Sequence, residues 1–263
     1  MKGVVMLELG IKAALEAGEL IRKHAGNAKN VERKLGQETN LVTELDRQAE
    51  EIIIRHIRRE YPDHDVLAEE SGDDDRRSEY RWIIDPIDGT TNFAHGLPIY
   101  SVSIGLEHNG DLVAGVVYDP SREELFTAEK GKGASLNRER IRVSGISTLI
   151  ESVLVTGFPY DVKSDTGNIR HFQNFLVEAQ AVRRLGSAAL DLCYVACGRL
   201  DGYWEMSLSP WDMAAGVLLV QEAGGTVTDH EGKASTVHKR SVLATNGLIH
   251  EQMIRILAKG NPR

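Results

Sequence analysis

A layered α/β protein is what the sequence predicts, with an α+β half over residues 1–145 and an α/β half over residues 146–263. Three observations carry that expectation. Two stretches of helical periodicity open the chain, a run of alternating segments split by turn signals fills its middle, and strand-like and helix-like runs then alternate to the end. No internal repeat or low-complexity segment interrupts them.

From about Val5 to His24, Leu7, Ile11, Ala14, Leu15, Ala17 and Ile21 recur with charges between them, which spells an amphipathic helix ending near Gly26. Val31 to Thr39 is polar, contains Gly36, and reads as a mobile loop or hairpin. Leu41-Val42-Thr43 leads into a second helix over 44–59, with Ile52, Ile53, Ile54 and Ile57, closed before Pro62. Thr43 with Asp46 three residues on fits a capping box. Val66-Leu67-Ala68 is a short strand, and the charge-dense 73–80 segment reads as a solvated loop. Residues 99–106, 112–118 and 124–128 alternate as antiparallel strands do, and Asn109-Gly110 is a two-residue hairpin signal. Lys130-Gly131-Lys132-Gly133 lacks P-loop spacing and reads as a turn into Ala134-Ser135-Leu136. Beyond residue 150, strands are expected at 153–155, 182–184, 201–205, 226–228 and 242–244. Helices are expected at 169–179, 187–196, 213–223 (closed by Gly224-Gly225) and 248–257.

Composition narrows the function. Hydrophobic residues make up 41% and charged residues 27% of 263, the balance of a globular protein with a sizeable core. A net charge of -8 argues against nucleic acid as the main ligand. No apolar run reaches membrane-spanning length, and Met1-Lys2-Gly3-Val4-Val5-Met6 lacks a signal peptide's apolar segment, so a cytoplasmic protein is expected. Cys193 and Cys197, four residues apart in a helix among apolar neighbours, are expected as reduced core thiols.

The chemistry concentrates in Trp82-Ile83-Ile84-Asp85-Pro86-Ile87-Asp88-Gly89-Thr90-Thr91-Asn92-Phe93. Trp82-Ile83-Ile84 has the composition of a buried strand, Asp85 stands at its carboxyl end, and Pro86 is expected to end it. A turn there brings Asp88 back to Asp85 and points the Ile87 carbonyl at the same spot. Two carboxylates and a carbonyl are the hard oxygen set that Mg²⁺ prefers. Asp88-Gly89-Thr90-Thr91 then offers backbone N–H groups to a phosphate. Glu69, Glu205 and Asp212 are further acids able to converge there. Each has an ordinary reading as well: Asp-Pro and Asp-Gly make turns, Asp212 caps a helix, and Glu205 faces solvent. Their occurrence together outweighs those readings.

Those motifs, with Glu69-Glu70-Ser71, Trp211-Asp212-Met213-Ala214-Ala215-Gly216, Asn40-Leu41-Val42-Thr43 and Gly186-Ser187-Ala188-Ala189, resemble the inositol monophosphatase family of metal-dependent, lithium-sensitive phosphatases. The resemblance covers nearly the whole chain and implies the αβαβα sandwich shared with fructose-1,6-bisphosphatase. It implies a cytoplasmic homodimeric hydrolase that uses two or three Mg²⁺ and metal-activated water on inositol monophosphate or a related sugar phosphate. By that resemblance Glu69, Asp85 and the Ile87 carbonyl hold one Mg²⁺, Asp85, Asp88 and Asp212 a second, and Glu69 helps hold a third near a loop carrying Lys34. Thr90, hydrogen-bonded to Asp46, orients the water; the Gly89 and Thr90 amides bind phosphate; Ala188 and Glu205 touch the alcohol beside Asp88. Arg183 or Arg184 is a candidate for a second phosphate, which keeps fructose-1,6-bisphosphatase as the alternative. Histidinol phosphate and phosphorylated nucleotides are lesser ones. No membrane and no nucleic-acid partner is expected.

Overall fold

The structure, a computed structural model, describes residues 2–25, 31–33, 41–159 and 166–259. Helices α1 (Lys2–His24) and α2 (Glu44–Glu60) are separated in sequence by a small pair of strands, β1 (Val31–Arg33) and β2 (Leu41–Thr43). Then come β3 (Asp65–Ala68), β4 (Gly72–Asp73), β5 (Tyr80–Asp88), a five-residue α3 (Thr90–Ala94), and the meander β6 (Ser101–His108), β7 (Asp111–Asp119), β8 (Glu124–Glu129), β9 (Gly133–Leu136) and β10 (Glu139–Arg140). These strands form one sheet in the order β10-β9-β8-β7-β6-β5-β3-β4, antiparallel except at the β3–β5 pair. The second half supplies β11 (Val153–Thr156), α4 (Gly167–Leu176), β12 (Ala181–Arg183), α5 (Ala188–Ala196), β13 (Gly202–Met206), α6 (Pro210–Glu222), β14 (Thr226–Thr228), β15 (Ser241–Thr245) and α7 (His250–Ala258). Its five strands are ordered β12-β11-β13-β15-β14.

Side-chain alternation along the strands stacks these elements into five layers. In β5, Trp82 and Ile84 join the core under α1 and α2, whereas Ile83 between them joins the core under α5 and α6. In the small sheet, Leu154, Trp204 and Leu243 face Phe175 of α4 and Met253 of α7, and their neighbours Val155, Tyr203, Val242 and Ala244 face the middle layer. Both sheets therefore bury both faces, giving the expected α/β sandwich of α1–α2, large sheet, α5–α6, small sheet and α4–α7. Helix α6 is seated unusually close to the large sheet. A Cβ at Gly105 would lie 2.6 Å from that of Ala214, and one at Gly115 2.8 Å from the Ala215 carbonyl.

Most elements fall where the periodicity puts them, and Asn109 (φ 52) and Gly110 (φ 82) form the two-residue hairpin. Three details differ. Strand β5 does not end at Pro86 but runs on to Asp88, because its pairing steps from Asp85–Ser103 to Asp88–Ser101 and leaves a bulge that needs no donor from Pro86. The 73–80 segment is anchored as well as solvated: buried Asp65 accepts from Arg76 N at 2.7 Å, and Asp74 accepts from Val66 N at 2.8 Å and pairs with Arg58. Helix α6 begins at Pro210 rather than Met213, with proline in the first position, where no N–H is needed. Cys193 is buried and Cys197 half-buried, and both are free thiols.

Candidate active site

Asp85, Asp88 and Asp212 bring carboxylate oxygens within 4.8 Å of one another where β5 meets α6. The bulge in β5 creates this, since the extra residue lets two carboxylates of one strand turn to the same side. Asp212 is the third residue of α6, and one of its oxygens accepts the Ser209 N–H at 2.7 Å. It is thus tied to the helix start without being the cap residue itself, and its other oxygen remains for the cluster. Asp88 is held from the opposite side by the start of α5: Ser187 Oγ donates at 2.5 Å, Ala189 N at 2.8 Å and Ala188 N at 3.2 Å. Glu69 lies just past β3, its N–H bonded to the Ile84 carbonyl at 3.2 Å. The turn it opens is clamped by Glu50 of α2, whose two oxygens accept from Glu70 N and Ser71 N, each at 2.9 Å.

Burial and mutual repulsion act on the acids together. Asp85 is driven well above the usual carboxylate range, first by burial and then by Glu69, Asp88, Asp212 and Asp46. Asp212 rises likewise through burial and Asp88, against the opposing Ser209 N–H. Burial pushes Asp88 up to about 6 despite its three donors. One Asp85 oxygen, Oδ1, is buried with no hydrogen-bond partner. So many desolvated carboxylates, one of them with an unmatched oxygen, make a site that a hard cation relieves.

Beside the acids, Gly89 turns the chain at φ 95 into α3. A side chain is excluded there twice over, by that φ and by the Ile99 carbonyl, 2.8 Å from where a Cβ would stand. The N–H groups that open α3 have no carbonyl partner within that helix, which leaves an anion turn at Gly89–Thr90. Thr90 Oγ1 donates to the Ile87 carbonyl at 2.9 Å, and Asn92 bridges to the Ile99 and Leu185 carbonyls at 2.9 and 2.8 Å, tying this turn to the loop before α5.

On the far side of Asp88, Tyr203 Oη donates to Glu205 at 2.6 Å, and burial lifts Glu205 to about 7 against that bond and the charge of Arg184. Glu205 is buried, not solvent-facing, and its carboxylate fills the space where a side chain at Gly157 would be. Of the two arginines, Arg184 is the one whose charge acts on Glu205 and Asp191, with its guanidinium lying over Gly186. Arg183 is exposed and donates to the Val182 carbonyl at 3.3 Å.

The structure therefore gathers Asp85, Asp88 and Asp212 directly, with Glu69 and Asp46 acting on Asp85. The Lys34 loop lies outside the described residues, and so does the Thr43 side chain invoked for the capping box. Sequence reasoning missed Glu50, Ser187 as a donor to Asp88, and Tyr203. For Glu50 a signal existed: an acid four residues after Asp46, inside the buried stripe of Ala49, Ile53 and Ile57.

A family model described as the inositol monophosphatase family matches residues 4–261. An inositol-1-monophosphatase of Synechocystis is 49% identical over 254 residues, 96% of this chain and 88% of that protein. The Nus factor SuhB of Vibrio cholerae is 44% identical over 243 residues, 92% of this chain and 91% of its own length. Among solved structures, the inositol monophosphatase from Anabaena superposes with a TM-score of 0.90 at 44% identity, covering 100% of this chain and 98% of its own. The extragenic suppressor protein suhB from Bartonella henselae superposes with a TM-score of 0.92 at 42% identity, covering 98% and 100%.

Proposed function

This chain belongs to the inositol monophosphatase family and is a phosphatase of small phosphate esters, and on that premise we propose that it is a Mg²⁺-dependent phosphomonoesterase acting on inositol monophosphate or a related sugar phosphate. The observation that carries this reading is the Asp85–Asp88–Asp212 cluster set beside the anion turn at Gly89–Thr90. Glu69, Asp85 and the Ile87 carbonyl would hold one ion, Asp85, Asp88 and Asp212 another, and Glu69 would help hold a third. The all-oxygen donor set and the unmatched Asp85 Oδ1 fit Mg²⁺. When bound, Mg²⁺ neutralises a phosphate dianion, makes water more acidic and steadies the departing alkoxide.

The chain's own residues do the rest. The Gly89 and Thr90 amides bind the phosphate oxygens. Thr90 Oγ1 has its proton committed to Ile87, so it turns lone pairs toward the attacking water and orients it. Buried Asp46 accepts the proton that water gives up. Glu205, with the backbone at Ala188, contacts the alcohol, and Tyr203 fixes the Glu205 carboxylate. The relatives named inositol-1-monophosphatase and those named Nus factor SuhB match over nearly the same length, so the names do not choose a substrate.

Phosphate release from a panel of esters, with Mg²⁺ or chelator, tests the proposal. Activity is expected only with Mg²⁺, to be inhibited by lithium, and to fall on the order of a hundredfold or more in Asp88→Asn. Undiminished turnover in chelator would overturn the metal mechanism; a flat lithium titration would remove lithium sensitivity alone. The alternative, fructose-1,6-bisphosphatase, is favoured by the position of Arg184 over Gly186. On that alternative Arg184→Ala raises KM for the bisphosphate roughly ten- to a hundredfold and spares inositol monophosphate, with Arg183→Ala alongside; equal losses on both substrates would dismiss it.

A further inference from the structure

Across the large sheet from β5, beyond β6 and β7, a cavity of about 220 Å³ opens over β8 and β9, lined by Thr127, Glu129, Lys132, Ser135, Arg138 and Arg140. It lies on the face that α1 covers elsewhere, with Leu7 of α1 at its rim. By strand spacing it stands roughly 15–20 Å from the acidic cluster, and it shares no residue with it.

The turn at its edge is the Lys130-Gly131-Lys132-Gly133 run, and its backbone is already an anion cradle. Gly131 N and Gly133 N donate at 2.7 and 2.8 Å to the two oxygens of Glu222. The chain's own carboxylate occupies those amides, and Lys130 pairs with Asp111 at 3.0 Å, but two arginines beside the turn have no such partner. Arg140 lays its guanidinium over Gly133, where a Cβ would come within 2.7 Å of Nη2, so the missing side chain is what seats it. Arg138 projects from the turn between β9 and β10 at φ 71. Among the described residues, neither arginine has an ion pair or hydrogen bond to a carboxylate. Lys132 is paired with Glu129 at 2.5 Å, so the described residues that line the pocket include three cations against one acid in a chain of net charge -8. In its floor, Thr127 Oγ1 and Ser135 Oγ are 2.8 Å apart. That bond consumes one hydroxyl proton of the two and leaves the other for an incoming acceptor. Two arginines lining one pocket with a spare hydroxyl donor suit the oxygens of a phosphate group.

We propose that this pocket is a second anion site, one that binds the phosphate group of a small molecule without metal. The same chemistry takes inorganic phosphate or a phosphate monoester, and the test separates them. Amide spectra of the full chain, in chelator at low ionic strength, are followed as inorganic phosphate is added, and in parallel glycerol 2-phosphate. Saturable shifts are expected at Gly133, Ser135 and Arg138, tighter for whichever form the site prefers. In the Arg138→Gln/Arg140→Gln double variant, whose substitutions are at exposed positions, affinity should fall at least tenfold with the rest of the spectrum unchanged. Arg255→Gln, an exposed arginine on α7, serves as the control for bulk charge. The site is overturned by an absence of saturation, by shifts confined to Gly89 and Thr90, or by equal weakening in Arg255→Gln. Binding of an oligonucleotide, but of neither phosphate compound, would overturn it too.

Discussion

Glu50 has no assigned part in the chemistry, yet it sets where Glu69 points, because its two oxygens hold the next two backbone N–H groups. Glu50→Ala should weaken Mg²⁺ about ten- to a hundredfold while kcat at saturating metal changes little, read as half-saturation in the phosphatase assay. An equal loss of kcat would show that Glu50 does more than hold the turn. Glu205 gives a pH test. Its folded value of about 7 is above that of an unfolded glutamate, so its stabilising contribution is complete below the unfolded value and is lost as pH rises through about 7. In chelator, Glu205→Gln should therefore gain thermal stability over the parent near pH 8 and none near pH 4, below the unfolded value of 4.5. Asp85 and Asp88 were legible in the sequence because their approach needs one local turn. Ser187 was not, since only tertiary packing brings it to Asp88; Glu50 showed only as an acid in the buried stripe of α2, without its partners, and Tyr203, two residues from Glu205 on one strand, was local but passed over.

At the scale of elements, α6 carries Asp212 into the cluster, and the sheet makes room for it with glycine. Gly105→Val places branched carbon against Ala214 and should cost roughly 1–3 kcal/mol by overpacking. Because the helix must shift, Mg²⁺ affinity should fall along with Tm; a lower Tm with unaltered affinity would mean that the helix start does not follow its middle. The apolar run of α6 and its closing Gly224-Gly225 mark the helix in the sequence, but it starts three residues before the expected Met213. Pro210 is the first helical residue, where its missing N–H costs nothing. Strand β5 was cut short because a proline was read as an end where a bulge absorbs it. Neither residue type nor spacing announces a bulge, which exists only through its partner strand.

At the scale of the whole molecule, the five layers follow from strands whose alternate residues enter different cores; strand-helix alternation showed the two halves, and the layering was implied by the family resemblance. The strand order was not readable, because pairing such as the parallel β3–β5 contact is set by packing between distant segments. The acidic cluster has the same non-local origin: Asp85 and Asp88 come from the first half and Asp212 from the second. An unfolded chain therefore has no such site, and on the proposed function Mg²⁺ would bind only the native state. At a hundredfold excess over Kd it should add about 2.7 kcal/mol, seen as a rise in Tm. Without metal the balance reverses. The same carboxylates then crowd one another in a dry interior, a stored electrostatic load that the fold tolerates for the sake of catalysis. Asp212→Asn keeps an acceptor for Ser209 N–H and discards one of those charges. In chelator that variant, expected to lose activity, should melt at a higher temperature than its parent, and Mg²⁺ should raise its Tm far less.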